Sequence, residues 1–143
     1  MSGEGDERRD ARPPAWARRE QVQRDPEAGP RVTIVGPCAA GKTTLVARLR
    51  EQGLDAHAVA QEHSGVAYLW QLAEPDLLIF LDVDLATTTI RRKREWPAEL
   101  YATQHERLDH ARRHADLYLD SSTVPADEIA KQVTEFVAAR TGH

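Results

Sequence analysis

The stretch Gly36-Pro37-Cys38-Ala39-Ala40-Gly41-Lys42-Thr43 decides the expected fold of this 143-residue chain. It fits the pattern G-x-x-x-x-G-K-[ST] without a departure, and that pattern is typical of a loop that surrounds nucleotide phosphates. Its glycines allow the backbone to bend and to approach the phosphates, while a following helix adds its partial positive end. The stretch therefore predicts a strand before the loop and a helix that begins near its end.

The last residues of the motif each have an expected chemical role. Lys42 is expected to bind the β- and γ-phosphates, and the Thr43 hydroxyl is expected to ligate a Mg²⁺ ion that bridges them. Mg·ATP is the predicted ligand. The residues expected to contact it are Gly36, Pro37, Cys38, Ala39, Ala40, Gly41, Lys42, Thr43 and Thr44.

Cys38 lies on the outer arc of this loop and is the only cysteine in the chain. A single cysteine excludes an intrachain disulfide and a multi-cysteine metal site. We interpret it as a small spacer in preference to a redox switch, because the chain holds no partner thiol, although a helix N-terminus lowers a thiol pKa.

Charge and hydropathy exclude two broad classes of function. The formal net charge of -4 argues against general nucleic-acid binding, which usually requires a basic surface. The longest strongly apolar run, residues 77–81, is too short to cross a bilayer. The sequence therefore predicts a cytoplasmic protein with neither nucleic-acid nor membrane partners.

The composition changes after residue 30. Residues 1–30 mix Arg, Asp, Glu, Pro and Gly with few apolar side chains, which predicts a flexible tail. Residues 31–143 alternate short apolar runs with segments of helical period, which predicts a single α/β domain. We expect a mainly parallel sheet of about four strands between helices.

Strands are expected at residues 31–35, 54–60, 77–81 and 117–119. Helices are expected from Gly41, from Ser64 to just before Pro75, from 85 to about 95, from Pro97 to about 114, and from Pro125.

The chain from residue 75 onward resembles the back half of small-molecule and nucleoside monophosphate kinases, such as thymidylate, shikimate and gluconate kinases. The carrying pieces are an apolar strand of the Leu-Ile-Phe-Leu-Asp kind at 78–82, the run Arg-Arg-Lys-Arg at 91–94, a short strand at 115–120 and a loop at 121–125. The resemblance spans about residues 32–137. It implies a three-layer P-loop NTPase fold, an adenine site near 121–125, and an ATP-dependent phosphotransferase that acts on a small metabolite.

Arg91, Arg92 and Arg94 match the lid of those kinases. Guanidinium groups stabilise the spread negative charge of a transferring phosphoryl group. The alternative is a basic cluster on a solvated helix face. We favour the lid because four adjacent cations repel one another.

Two acids are candidates to orient magnesium or to activate an acceptor. In phosphate-loop enzymes this acid follows a strand adjacent to the first strand. Glu62 follows the second predicted strand and Asp82 the third. The resemblance places these strands on opposite sides of strand one, and it makes Glu62 the first choice and Asp82 the second; an ordinary exposed turn is the other interpretation of Glu62.

The resembled kinases usually insert another β-α unit before the lid strand, whereas this chain has only residues 64–76 there. That shortage supports a rival hypothesis, a nucleotide-dependent regulatory module that hydrolyses ATP slowly and has no small-molecule acceptor. His110 and His114 are one helical turn apart, but we interpret them as a solvated face rather than a metal pair. Trp70 and Trp96 are interpreted as packing residues.

Overall fold

The structure is a computed structural model that describes residues 29–141. Its elements are β1 (Arg31–Val35), α1 (Lys42–Glu51), β2 (Asp55–Ala58), β3 (Leu77–Asp82), α2 (Leu85–Arg92), α3 (Ala98–His114), β4 (Leu117–Asp120) and α4 (Ala126–Arg140). Two short 3-10 helices, Gln61–His63 and Leu69–Ala73, lie between β2 and β3. The predicted tail lies outside the described residues except for its last two positions.

The four described strands form one parallel sheet in the order β2-β1-β3-β4. Val32 of β1 pairs with Ala56 on one side and Leu77 on the other, and Ile79 of β3 pairs with Leu117. The predicted parallel sheet is confirmed, as is the position of the first strand between the second and the third. In such open sheets ligands bind at the carboxyl ends of the strands where the strand order reverses, and the segment after β1 lies there.

Helices cover both faces of this sheet. Alternate residues of β3 point to opposite sides, as expected for a strand that is buried on both faces. Leu77, Ile79 and Leu81 join one core with side chains of α1 and α4, among them Leu45, Leu49, Ile129 and Val133. Leu78 and Phe80 join a second core with Trp70 and with Leu108 and Ala111 of α3.

The predicted helix after Ser64 is wrong. The Ser64 hydroxyl accepts a hydrogen bond from Val66 N at 3.0 Å, which closes a local turn instead of capping a helix. The buried Gln61 amide accepts from Trp70 N at 3.0 Å and donates to Val66 O at 2.8 Å. Because side chains satisfy these backbone groups, only the 3-10 helix Leu69–Ala73 forms.

The other differences are at element ends. Helix α2 ends at Arg92, where Lys93 adopts the left-handed conformation with φ of 59°, so Arg94 and residue 95 lie beyond the helix. Pro97 and Pro125 are N-cap residues and not the first helical residues. Strand β2 stops at Ala58. None of the helices within residues 29–141 has the length and apolar character that crossing a bilayer requires.

Candidate functional site

The loop from Gly36 to Gly41 joins β1 to α1 and depends on its glycines in two ways. A Cβ at Gly36 would lie 1.9 Å from the carbonyl oxygen of Leu81, so only glycine permits this close approach to β3. Gly41 is the N-cap of α1 and has φ of 97°, a conformation that favours glycine. Ala39 also has a positive φ, 68°, which costs a non-glycine residue free energy. The loop therefore holds a strained, compact shape at the end of the first strand.

Lys42, the first residue of α1, folds back over this loop. Its Nζ donates to the carbonyl oxygens of Gly36 at 2.7 Å and Pro37 at 3.1 Å. The same Nζ donates to Glu62 Oε2 at 2.8 Å, and the two side chains are only 13% and 5% exposed. Two largely buried opposite charges stabilise each other only while both are present.

Glu62 lies in the 3-10 helix that follows β2, and its two carboxylate oxygens differ. Oε2 accepts from Lys42, whereas Oε1 is buried and has no hydrogen-bond partner among residues 29–141. A buried carboxylate oxygen without a partner is rare and costly. This oxygen is therefore an acceptor available to a bound ion, water or ligand.

Asp82, the second candidate acid, is fully engaged at the end of β3. Its Oδ1 accepts from Val83 N at 2.8 Å and from His105 Nε2 at 3.1 Å, and its Oδ2 accepts from the Tyr118 hydroxyl. Burial alone would raise the pKa of Asp82, but these hydrogen bonds outweigh it and lower the pKa. The hydrogen bond to Asp82 raises the pKa of His105, and burial together with the same carboxylate raises the pKa of Tyr118 to about 12.

The three candidate lid arginines have different surroundings. Arg91 donates to Ala39 O at 2.8 Å and to the carbonyl oxygen of Ser121 at 2.7 Å, which ties α2 to the loop. The guanidinium groups of Arg92 and Arg94 lie 5.1 and 5.6 Å from the ring centre of Trp96. Trp96 is therefore a packing residue beside the arginines, as expected.

A cleft of about 590 Å³ opens beside the loop. Glu62 and Lys42 line it, as do Arg91 and Arg92, whereas Asp82 and Arg94 do not. A second cavity of about 250 Å³ also borders the loop at Ala39, Gly41 and Thr44 and is lined largely by apolar residues, including Leu81, Val124 and Ile129. A further cavity of about 390 Å³ between α1 and α4 shares no residue with the loop.

Cys38 is held by two residues that no sequence motif indicated. Its backbone N donates to Gln104 Oε1 at 3.1 Å, and Gln104 Nε2 donates to Cys38 Sγ at 3.2 Å. His63 Nε2 lies 3.6 Å from the same sulfur. Gln104 is a polar residue one turn before Leu108 on the buried face of α3, and that departure from the apolar stripe was its only signal in the sequence.

His110 and His114 lie beside the second core and not in this cleft; His110 is half-buried and His114 is exposed. Trp70 Nε1 donates to His110 Nδ1 at 3.1 Å, and both imidazoles pack on the Trp70 ring. Within the described part of the chain no third metal ligand joins them. The interpretation as a solvated face is therefore only partly correct, because both rings also pack against the buried Trp70.

No protein-family model matches this sequence, and no curated protein is significantly similar to it. A fold alone does not specify a function, so the function has to be inferred from the chemistry of the cleft.

Proposed function

We propose that this protein is a compact P-loop kinase that binds Mg·ATP at residues 36–44 and transfers its γ-phosphoryl group to a small hydroxyl- or phosphate-bearing metabolite. The observation that carries the proposal is the Lys42–Glu62 pair. A lysine at the first position of α1 and a buried carboxylate meet at 2.8 Å, at the carboxyl ends of two adjacent parallel strands. Phosphate-loop enzymes use a lysine on the β- and γ-phosphates and an acid that orients magnesium or the nucleophile, and these two residues could take those roles at this end of the sheet.

The nucleotide phosphates fit the N-terminus of α1. The first helical hydrogen bond is that from Leu45 N to Gly41 O at 2.9 Å, so the preceding N–H groups have no partner within the helix. Those N–H groups and the helix dipole favour an anion. Lys42 Nζ, held by two loop carbonyls, is close enough to exchange them for phosphate oxygens. The apolar cavity beside Val124 and Ile129 is suited to an adenine ring.

Magnesium fits the oxygen atoms of Thr43 and Glu62. Mg²⁺ prefers oxygen ligands and retains several waters, and it would neutralise charge on the bridged phosphates. Thr43 is exposed in the first turn of α1, and Glu62 offers the one buried carboxylate oxygen described above as lacking a partner. In this proposal Glu62 orients a metal-bound water or accepts a proton from the acceptor hydroxyl.

The same cleft also contains positively charged groups that could act on the transferring phosphoryl group. Arg91 and Arg92 line it together with Glu62, so their charge can stabilise a transferring phosphoryl group. Its volume of about 590 Å³ exceeds the need of a phosphate chain alone and leaves room for a small acceptor.

The rival function, a regulatory module with slow ATP hydrolysis, is supported by the short β2–β3 connection. That segment contains only two 3-10 helices and no α-helix that could form a separate acceptor site. Incubation of the protein with Mg·ATP and metabolite pools, followed by mass spectrometry, separates the two functions. A phosphorylated metabolite supports the kinase, whereas release of inorganic phosphate without such a product supports the rival.

Removal of Lys42 tests the binding step that both functions share. Loss of a charge-assisted bond to phosphate in Lys42→Ala should weaken Mg·ATP binding by about 10- to 100-fold, or about 1.5–3 kcal/mol. The same change leaves Glu62 buried without its partner and should destabilise the fold by up to about 3 kcal/mol. Titration calorimetry and urea unfolding measure the two effects separately.

Two further variants keep these effects apart. The double variant Lys42→Ala/Glu62→Gln removes both charges and should recover most of the lost stability without recovering nucleotide binding. Lys131→Ala removes an exposed lysine of α4 and should leave both measurements unchanged. Equal Mg·ATP affinity in the folded parent and double variant would contradict the proposed nucleotide site.

A further inference from the structure

The geometry points to a second use of this cleft: Cys38, Glu62 and His63 form a binding site for Zn²⁺ or a similar thiophilic divalent ion, which excludes Mg·ATP while it is bound. The ion site stands on the three side chains alone. Its competition with nucleotide rests on the proposed function.

The three side chains already have the spacing of zinc ligands. Cys38 Sγ lies 3.6 Å from His63 Nε2, and that nitrogen lies 3.6 Å from Glu62 Oε2. Tetrahedral zinc with ordinary Zn–S and Zn–N bonds separates neighbouring ligand atoms by about 3.5 Å. All three ligand atoms lie within 4.8 Å of one another, so one ion can contact all three after small side-chain movements.

The surroundings favour metal binding over a simple packing role. Cys38 and Glu62 are buried, and Glu62 Oε1 has no hydrogen-bond partner among the described residues. The Gln104 amide can have only one orientation, because its Oε1 accepts from the backbone N–H of Cys38. Its NH₂ group therefore donates to the sulfur, and a donor of this kind supports a metal-bound thiolate.

Access and charge also fit. The His63 side chain is 58% exposed, so an ion can enter from solvent and keep a fourth position for water. Binding releases the thiol proton to solvent, and the resulting thiolate and the Glu62 carboxylate together neutralise the two positive charges. Soft sulfur selects Zn²⁺ over Mg²⁺, which prefers oxygen ligands.

The ion and Lys42 compete for one carboxylate. Glu62 Oε2 now accepts from Lys42 at 2.8 Å, so an ion at that oxygen displaces the ammonium group. Under the proposed function the Glu62 carboxylate must also orient the magnesium of Mg·ATP, and a zinc ion bound to that carboxylate makes it unavailable. Zinc at Cys38 and Glu62 therefore acts as an inhibitor of nucleotide binding.

Cobalt titration of the full-length, tag-free chain tests the site. Because Cys38 is the only cysteine, a thiolate-to-Co²⁺ charge-transfer band reports this position alone. We expect the band to saturate at one ion per chain and to disappear when Zn²⁺ is added. Cys38→Ser and Cys38→Ala should show no band, and His63→Gln should weaken Co²⁺ binding by more than about tenfold. His114→Gln, a matched histidine outside the cleft, should bind as the parent does.

Two outcomes of the titration of the parent would overturn the ion site: no thiolate band, or a band that saturates at one ion per two chains, which means that Cys38 residues of two chains share the ion. Retention of parental affinity in His63→Gln would also overturn it. Circular dichroism of each variant establishes that it is folded. Two replacements of Cys38, by alanine and by serine, are included so that the control remains available if one of them does not fold.

Calorimetry of Mg·ATP binding, with and without one equivalent of Zn²⁺, tests the competition. Zn²⁺ should weaken Mg·ATP binding to the parent by more than about tenfold but should have a much smaller effect on His63→Gln, which lies outside the nucleotide-binding loop and also controls for chelation of zinc by ATP. Equal zinc effects on the two proteins overturn the competition and leave the ion site intact. A parent that does not bind Mg·ATP at all overturns the proposed function and the competition, whereas the cobalt titration still decides the ion site independently.

Discussion

Glu62 and Asp82 lie at the carboxyl ends of the two strands that flank β1, but their surroundings are opposite in kind. Asp82 accepts three hydrogen bonds from Val83, His105 and Tyr118. Glu62 is more deeply buried and has a lysine on one oxygen and no described partner on the other. Of these two acids at the same end of the sheet, Asp82 therefore has hydrogen-bond partners for both carboxylate oxygens, whereas Glu62 has a described partner for only one.

The difference indicates which acid is available for chemistry. A carboxylate whose oxygens are filled by fixed donors contributes to stability and has little capacity left for a ligand. A buried oxygen without a partner is destabilising until something binds to it, and such groups are concentrated at functional sites. Under the proposed function we therefore assign Glu62 to the reaction and Asp82 to the architecture, and the first experiment below can reverse that assignment.

The largest expected effect is that of Glu62→Gln on turnover of Mg·ATP. Loss of the carboxylate that orients water or accepts a proton should lower the rate by about 10²- to 10⁴-fold. Asp82→Asn should lower it by less than about tenfold, since Asp82 does not line the cleft. Steady-state rates of the two folded variants provide the comparison.

The matched shapes of the two replacements make this ranking informative. Each exchanges one carboxylate oxygen for an NH₂ group and preserves volume, so packing changes little. A greater loss of turnover in Asp82→Asn than in Glu62→Gln would reverse the assignment and identify the third strand as the source of the magnesium-orienting acid.

The next expected effect is the loss of folding stability in Asp82→Asn, since the hydrogen bonds of Asp82 contribute to the free energy of unfolding. Loss of the charge that His105 and Tyr118 bind should destabilise Asp82→Asn by about 1–3 kcal/mol. The lowered pKa of Asp82 means that its contribution is present above the unfolded pKa of about 4 and is lost as pH falls through the folded value. The raised pKa of His105 means that its contribution is complete below about pH 6.5 and is lost as pH rises through the folded value.

Urea unfolding at a series of pH values checks both signs. The pair should contribute most between about pH 4 and about pH 6.5, and the parent should lose stability relative to His105→Gln as pH rises above that window. His114→Gln, at an exposed position of the same helix, should follow the parent at every pH. A parallel pH dependence in the parent and His105→Gln would show that the Asp82–His105 pair is not coupled to folding.

The sheet could be predicted from the sequence because its strands are encoded locally. The β-branched run of β1 and the apolar run of β3 lie in the sequence where the strands lie in the structure. The loop glycines are equally local, since Gly36 and Gly41 meet backbone demands that the motif itself specifies.

The rest depends on contacts between distant residues, which a sequence pattern does not show. The Gln61 side chain forms hydrogen bonds with the backbone of Val66 and Trp70, and these bonds prevent the helix that was predicted after Ser64. The choice between Glu62 and Asp82 was open because the partners of Asp82 come from α3 and β4, 23 and 36 residues away. The contacts of Cys38 with Gln104 were hidden for the same reason, at a separation of 66 residues.

The smallest expected effect separates two arginines by the same criterion of what each side chain contacts. Arg91 donates to Ala39 and Ser121 and lines the cleft, whereas Arg94 lies over Trp96 and does not line it. Arg91→Gln should destabilise the fold by about 1 kcal/mol and lower turnover about tenfold, because it removes hydrogen bonds to the loop and a positive charge from the cleft. Arg94→Gln should change the free energy of unfolding by no more than about 0.5 kcal/mol, as most exposed substitutions do, and should leave turnover within about twofold.

Melting curves and rates measured on both variants make the comparison. If Arg94→Gln lowers turnover as much as Arg91→Gln does, the segment after α2 moves over the cleft during the reaction, and the arginines act as a mobile lid rather than from the positions they occupy in the free protein.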